Sequence, residues 1–184
     1  MKKYCKALLL ALSAALPVLY LTTTALSALC AAIAVIAAVF LMFATTLLVP
    51  KIVPANVKFP VMLIAAGTAV SVVGIFVPQT LPLGFYYTPL CVVSAFFLFF
   101  LAKGENNKKF VLSLSTNSVA FFVIMFLMGV LRELLGQGKI FSLPKTTQIW
   151  EPIRVLTLPA GAIFIVALLS AVLSYLAKED EKND

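Results

Sequence analysis

The fold is decided by residues 7–50, which read ALLLALSAALPVLYLTTTALSALCAAIAVIAAVFLMFATTLLVP and contain no Asp, Glu, Lys or Arg. A membrane-spanning helix needs about 20 apolar residues, because a hydrocarbon core about 30 Å thick is crossed at about 1.5 Å per residue. The stretch is long enough for two such helices, and Thr22–Thr24 marks the turn between them. We expect the first span to be retained in the protein, because the apolar sequence continues to Val49.

Further uncharged stretches cover residues 59–102, 110–131 and 155–177. The first of these is again long enough for two helices, with a turn predicted at residues 78–84, where two prolines and a glycine occur. The sequence therefore predicts an all-α integral membrane protein with one transmembrane domain over residues 1–184. The six spans are placed at about 6–24, 26–49, 59–77, 86–102, 110–134 and 156–177.

Composition excludes several classes of protein. Apolar residues make up 62% of the chain and charged residues 11%, with a mean hydropathy of +1.10. Soluble domains carry about 45–50% apolar and about 25% charged residues. An ordinary soluble enzyme, a disordered chain and a nucleic-acid binder are therefore excluded.

The lysines and arginines predict the orientation of the spans. With six spans, the two termini and the second and fourth loops share one side of the membrane. That side carries Lys2, Lys3, Lys6, Lys51, Lys58, Lys103, Lys108, Lys109, Lys178 and Lys182, and the other side carries Arg132, Lys139, Lys145 and Arg154. The positive-inside rule then predicts a multi-pass protein of the cell inner membrane with both termini in the cytoplasm.

Few residues offer chemistry inside the membrane. The chain has no histidine, and no acidic residue falls well inside a predicted span, so a metal site or proton relay made by this chain alone is not expected. Cys5 and Cys30 are interpreted as small membrane hydrophobes. Tyr86, Tyr87, Trp150 and Tyr175 are expected at the headgroup level. Small residues repeat every four positions, which favours close helix packing: Ala7, Ala11, Ala15; Ala28, Ala32; Ala34, Ala38; Ala167, Ala171; Ser170, Ser174.

Two prolines occupy matching places in the chain. Pro17 lies in the first span and Pro89 in the fourth, and similar strings follow both of them. Proline removes a helical hydrogen bond, and broken spans at matching positions are typical of inverted repeats with a site near the midplane. We therefore predict two inverted three-helix repeats, about 6–77 and 86–177, whose first helices are broken by proline. Two unrelated kinks are the alternative.

Four segments resemble one family of membrane subunits, which comprises the E subunit of Rnf electron-transport complexes and the D subunit of the sodium-pumping NADH:quinone reductase. LPVLYLTTT at residues 16–24 resembles the family's L-C-P-L-L-A-V-T-T-T, and PLCVVSA at residues 89–95 resembles its P-L-I-V-V-N-C. GVLRELLGQGKIF at residues 129–141 resembles its G-x-x-R-E-x-x-G-S-G-x-x-F, and LPAGA at residues 158–162 is identical to its L-P-A-G-A.

The resemblance implies a six-helix inverted-repeat subunit that packs against an oppositely oriented homologous subunit. It also implies an iron–sulfur cluster held between the two subunits, which passes electrons between flavin-carrying partner subunits. The family's ligand positions correspond to Leu16 and Ala95, neither of which can bind iron. Cys91 lies one helical turn before Ala95 and is a weak candidate. We expect no cofactor on this chain alone, and flavin and iron–sulfur centres in its partners.

Arg132 and Glu133 are candidate functional residues together with Pro17 and Pro89. Because neighbours on a helix do not face each other, the simpler interpretation is an interfacial anchor at the outer end of the fifth span. The functional interpretation is that one of the two side chains turns inward, to contact a partner subunit or to line an ion path.

Three functions are compatible with the sequence. The first is a membrane subunit of an Rnf-like or Nqr-like complex, which supports electron transfer coupled to movement of Na⁺ or H⁺. The second is a six-helix substrate-binding subunit of an energy-coupling-factor importer, in which Ala7, Ala11 and Ala15 would form the docking face. The third is a scaffold for other membrane subunits. No residue is identified as catalytic.

Overall fold

The computed structural model describes residues 2–48, 57–76, 86–102, 107–138 and 153–182. In this part of the chain all regular structure is helical. The six α-helices are α1 Lys2–Ala15, α2 Ala25–Leu48, α3 Lys58–Phe76, α4 Tyr87–Leu101, α5 Asn107–Gln137 and α6 Pro159–Lys182. Two 3₁₀ segments, Leu16–Leu21 and Arg154–Thr157, follow α1 and precede α6.

The all-α membrane architecture expected from the sequence is confirmed. Helices α2, α3 and α5 are long and apolar enough to cross a membrane, and the remaining apolar helical stretches are shorter. The predicted turn at residues 78–84, Trp150 and the loop lysines Lys51, Lys103, Lys139 and Lys145 lie outside the described residues.

The predicted break at Pro17 is present. Helix α1 ends at Ala15, and the chain continues as a 3₁₀ segment with Pro17 in its first turn. Proline has no N–H and its ring clashes with the preceding turn, so the α-helix cannot continue through it. The Ser94 hydroxyl on α4 donates a hydrogen bond to the carbonyl of Ala14. Helix α4 thus binds main chain close to the break in the first span.

The predicted break of the fourth helix at Pro89 is wrong for α4. This helix starts at Tyr87 and runs without interruption to Leu101, so Pro89 lies in its first turn. Proline is tolerated there because the first N–H groups of a helix have no intrahelical acceptor. Pro89 is therefore compatible with a helix start, whereas Pro17 ends a helix.

Helix α2 lies at the centre of the bundle, where it contacts α3, α4 and α5, while α1 contacts α4, α5 and α6. The predicted packing of small residues is confirmed on the first two helices, whose buried members include Ala11, Ala15, Ala28, Ala32, Ala34 and Ala38. On α6, Ala167 and Ala171 are exposed on the outside of the bundle.

Phenylalanine rings connect four helices at one end of the bundle. Phe43 near the end of α2 stacks on Phe110 at the start of α5, with 5.7 Å between ring centroids. Phe110 meets Phe99 of α4 at 5.5 Å, and Phe59 at the start of α3 meets Phe96 of α4 at 5.4 Å. Ends of α2 and α4 therefore lie beside starts of α3 and α5, as an alternating up-and-down order requires.

Candidate functional site

The site lies at the opposite end of the bundle, where the first span turns into α2. The Thr24 hydroxyl accepts a hydrogen bond from the Ser27 N–H at 3.1 Å, and the Ser27 hydroxyl accepts one from the Thr24 N–H at 3.0 Å. This reciprocal pair caps the start of α2. The same turn is fixed on its other side by the Thr22 hydroxyl, which donates to the carbonyl of Leu19 at 2.8 Å.

The guanidinium of Arg132 is buried among oxygen atoms of this turn and of the segment before α6. Its Nη1 donates to the Leu19 carbonyl at 2.7 Å and to the Thr22 hydroxyl at 2.9 Å. Its Nε donates to the Leu156 carbonyl at 3.2 Å, and Nη2 donates to the Leu158 carbonyl at 3.3 Å. Arg132 on α5 therefore connects the first span to the start of the sixth.

Glu133 binds the start of α2. Its Oε2 accepts a hydrogen bond from the N–H of Ala25 at 2.7 Å, and its Oε1 is buried without a hydrogen-bond partner in the structure. The first N–H groups of a helix carry a partial positive charge, so a carboxylate is favourable there. Arg132, by contrast, binds carbonyl groups near the C-terminal ends of the two 3₁₀ segments: that of Leu19 in the first segment, and those of Leu156 and Leu158 at the second. A positive charge is favourable at such an end.

Both side chains are inside the protein: Arg132 is 0% exposed and Glu133 is 1% exposed. The expectation of an interfacial anchor is therefore wrong. Adjacent residues project from a helix about 100° apart. Arg132 therefore faces the turn after the first span and the segment before α6, whereas Glu133 faces the start of α2. The pair acts as two separate contacts that fix three neighbouring elements to α5.

Gly129, one turn before Glu133, allows α5 to approach α2. A Cβ atom on Gly129 would lie 2.6 Å from the Cβ of Ala28 and 3.0 Å from the Cα of Ala25. The first of these separations is shorter than real Cβ contacts and the second is tighter than most, so a side chain at this position requires its neighbours to move. The close approach brings the Glu133 carboxylate within hydrogen-bond distance of Ala25.

The positions that correspond to cluster ligands in the resembling family do not fit an iron–sulfur cluster. Leu16 is 50% exposed on the outer surface, whereas Ala95 and Cys91 are buried within the bundle. Such clusters are held mainly by thiolates, and of these three residues only Cys91 carries a thiol. Among the described residues, no group of three or more His, Cys, Asp or Glu side chains lies together.

Cys91 is a member of the buried core of the bundle. Tyr87, one turn before it, donates a hydrogen bond to the main-chain carbonyl of Cys30 on α2, at 3.4 Å. Tyr87 is buried within the protein, whereas Tyr86 and Tyr175 are exposed.

Sequence reasoning did not assign a role to Thr22, Ser94 or Gly129. Thr22 appeared only as an interruption between two spans, although it binds the buried arginine. Gly129 stands three residues before Arg132 within the quoted motif, and that fixed spacing was the available signal. The partner of Ser94 is 80 positions away in the chain, and no sequence pattern indicates it.

Comparisons with known proteins agree with the resemblance. A family model described as Rnf-Nqr subunit, membrane protein, matches residues 4–170. The chain is 26% identical over 139 residues to the E subunit of the Na⁺-translocating ferredoxin:NAD⁺ oxidoreductase complex of Acetobacterium woodii, and the match covers 70% of this chain and 69% of that protein. No solved structure matches the chain.

The match spans both prolines and the buried pair. Residues 4–170 include Pro17, Pro89, Arg132 and Glu133, and the apolar helices agree with a multi-pass membrane subunit. The chain belongs to the Rnf-Nqr family of membrane subunits.

Proposed function

We propose that this chain is the E-type membrane subunit of an Rnf-like complex, in which electron transfer is coupled to Na⁺ or H⁺ movement. The main support for this proposal is the buried Arg132–Glu133 pair. The pair lies in the segment that resembles the family's most specific motif, and it binds the chain between the break in the first span and the start of α2. The relative from Acetobacterium woodii is named as a subunit of a Na⁺-translocating ferredoxin:NAD⁺ oxidoreductase complex. The chain forms one transmembrane domain and is one of the membrane subunits of such a complex.

Its partners are the other membrane subunits, above all an oppositely oriented homologous subunit. The flavin and iron–sulfur centres belong to those partners, because Leu16 and Ala95 stand at the two ligand positions and neither binds iron. Arg132 holds the segment that follows Pro17, and Glu133 holds the start of α2.

The iron content of the purified chain tests the proposal that the iron–sulfur centres belong to the partner subunits. The purified chain is expected to contain no stoichiometric iron or sulfide and to show no visible charge-transfer absorption, because a cluster requires about four protein ligands. Iron and acid-labile sulfide analysis measures this directly. Stoichiometric iron that disappears in Cys91→Ser would contradict the proposal and would make Cys91 a ligand.

Both termini are proposed to lie in the cytoplasm, since ten of the fourteen lysines and arginines fall on that side of the six-span arrangement. Reporter fusions after Asp184 and within residues 139–150 are expected to report opposite sides of the membrane. Reports from the same side would contradict the arrangement of the spans.

Copurification tests the proposed function as a whole. The tagged chain, extracted from its native membrane in mild detergent, is expected to bring down a homologous membrane subunit together with flavoproteins and iron–sulfur proteins. Copurification of paired ATPases would instead support the importer alternative and would overturn the proposal.

A further inference from the structure

We propose that the end of the bundle where the phenylalanine rings meet binds an anionic phospholipid. The binding surface, called here the basic aromatic shelf, consists of Lys58, Phe59, Phe100 and Lys109. The two lysines bind the phosphate group of the lipid, and the two exposed rings contact its acyl chains. The leaflet that supplies the lipid rests on the proposed orientation of the termini, whereas the binding itself does not.

The shelf follows the end of α4, between the starts of α3 and α5. Five rings contact one another in series along it, with neighbouring centroids 5.4–6.0 Å apart: Phe59, Phe96, Phe100, Phe99 and Phe110. Lys58 precedes the first ring at the start of α3, and Lys109 precedes the last ring in the first turn of α5. The series of rings therefore places the two lysines on either side of the end of α4.

The start of α3 lies deeper in the bundle than the neighbouring helix ends. Helix α3 contacts α4 at Phe96, whereas α5 contacts α4 at Phe99, three residues nearer to its end. At about 1.5 Å per residue, this difference is about 4–5 Å. Helix α2 continues from Phe43, which contacts α5 at that outer level, to Leu48. Lys58 thus lies below a step whose depth is close to the thickness of a headgroup layer, about 5–7 Å.

The shelf combines positive charge with exposed apolar surface. Lys58 and Lys109 are exposed, and neither α3 nor α5 has an acidic residue in its first turn. Phe59 is 58% exposed and Phe100 is 65% exposed. Lysines at a membrane surface attract anionic lipids, and their apolar stems lie along apolar surface while the ammonium group reaches the headgroups. An inorganic phosphate would use the charge alone, whereas an anionic phospholipid uses the charge and the rings together.

A single tryptophan on the shelf reports which lipid lies beside it. Trp150 is the one tryptophan of the chain, so Trp150→Phe combined with Phe100→Trp leaves one fluorescent probe on the shelf. The full chain is reconstituted in phosphatidylcholine vesicles that contain a small fraction of brominated lipid, either phosphatidylglycerol or phosphatidylcholine. Bromine quenches tryptophan fluorescence on contact, so additional quenching by the brominated phosphatidylglycerol measures preferential binding.

The proposal predicts stronger quenching by phosphatidylglycerol, and a preference that falls about fivefold for each of Lys58→Gln and Lys109→Gln. Lys2→Gln combined with Lys3→Gln is the matched control, because it removes the same charge at the start of α1, and it is expected to keep the preference. Equal quenching by the two brominated lipids, or an equal loss in the control, would overturn the proposal.

Native mass spectrometry of the unchanged chain gives a second measurement that needs no tryptophan variant. The chain is expected to retain phosphatidylglycerol over phosphatidylcholine with the same acyl chains, and excess inorganic phosphate is not expected to displace it. Equal retention of the two lipids, or displacement by inorganic phosphate, would contradict the binding of a phospholipid at the shelf.

An acidic partner protein is the competing occupant of the shelf. If the double variant Lys58→Gln, Lys109→Gln lost a copurifying subunit but retained phosphatidylglycerol as the unchanged chain does, the shelf would belong to that subunit and the proposal would be overturned. Both lipid measurements use the chain alone, so their failure is distinct from a failure of copurification.

Discussion

Arg132→Met is expected to destabilise the protein by about 3–5 kcal/mol, which is the largest effect of any single substitution considered. Methionine fills similar space but donates no hydrogen bond, so three carbonyls and the Thr22 hydroxyl lose a buried charged donor. The first span and the start of α6 would then no longer be held to α5. Unfolding in mixed detergent micelles, followed by helical circular dichroism, measures the change.

Lys108→Met is the matched control for this substitution. Lys108 also carries a positive charge on α5, but its side chain is exposed in the first turn of that helix. Its removal is expected to change stability by no more than about 0.5 kcal/mol. Equal losses in the two variants would mean that Arg132 acts only through its charge, and that its hydrogen bonds to two spans contribute little.

Gly129→Val is expected to cost about 1–3 kcal/mol and to weaken the contact between α5 and α2. Even a single added carbon would lie 2.6 Å from the Cβ of Ala28 and 3.1 Å from the carbonyl oxygen of Thr24. The helices must separate to accept it, and separation pulls the Glu133 carboxylate away from the N–H of Ala25. Amide hydrogen exchange at the start of α2 is expected to accelerate more than exchange elsewhere in that helix.

Gly67→Val provides the control in α3, because a Cβ atom there would meet nothing within 4 Å. Both variants replace a helical glycine by valine, so they add the same side-chain volume and reduce the conformational freedom of the backbone equally. If both leave stability and exchange unchanged, the close approach of α5 to α2 is not required for the fold.

The helical membrane fold was predictable from the distribution of charge alone. Long uncharged stretches are required for spans, so the fifth span, predicted at residues 110–134, corresponds to α5 at Asn107–Gln137. Whether Pro89 breaks a helix or lies in its first turn was not predictable in the same way. It lies in the uncharged stretch 59–102, where the lack of charge does not show at which residue a helix starts, and proline is compatible with a start as well as with a break.

The burial of Arg132 and Glu133 was beyond the reach of local patterns. A charged pair at the end of a span fits a membrane surface equally well, because burial depends on what other elements bring to that point. The partners are Leu19, which is 113 positions from Arg132, and Ala25, which is 108 positions from Glu133. Only the tertiary packing of the first and second spans on α5 reveals that these side chains are satisfied inside the protein.

Redox-driven ion uptake by native membranes tests the central claim most directly. In inverted membrane vesicles from cells that lack this chain, ferredoxin-dependent reduction of NAD⁺ and the coupled uptake of Na⁺ or H⁺ are expected to be lost. The unchanged chain should restore both, and Arg132→Met should not. Vesicles without the chain that retain full coupled activity would contradict its proposed role as a membrane subunit of the complex.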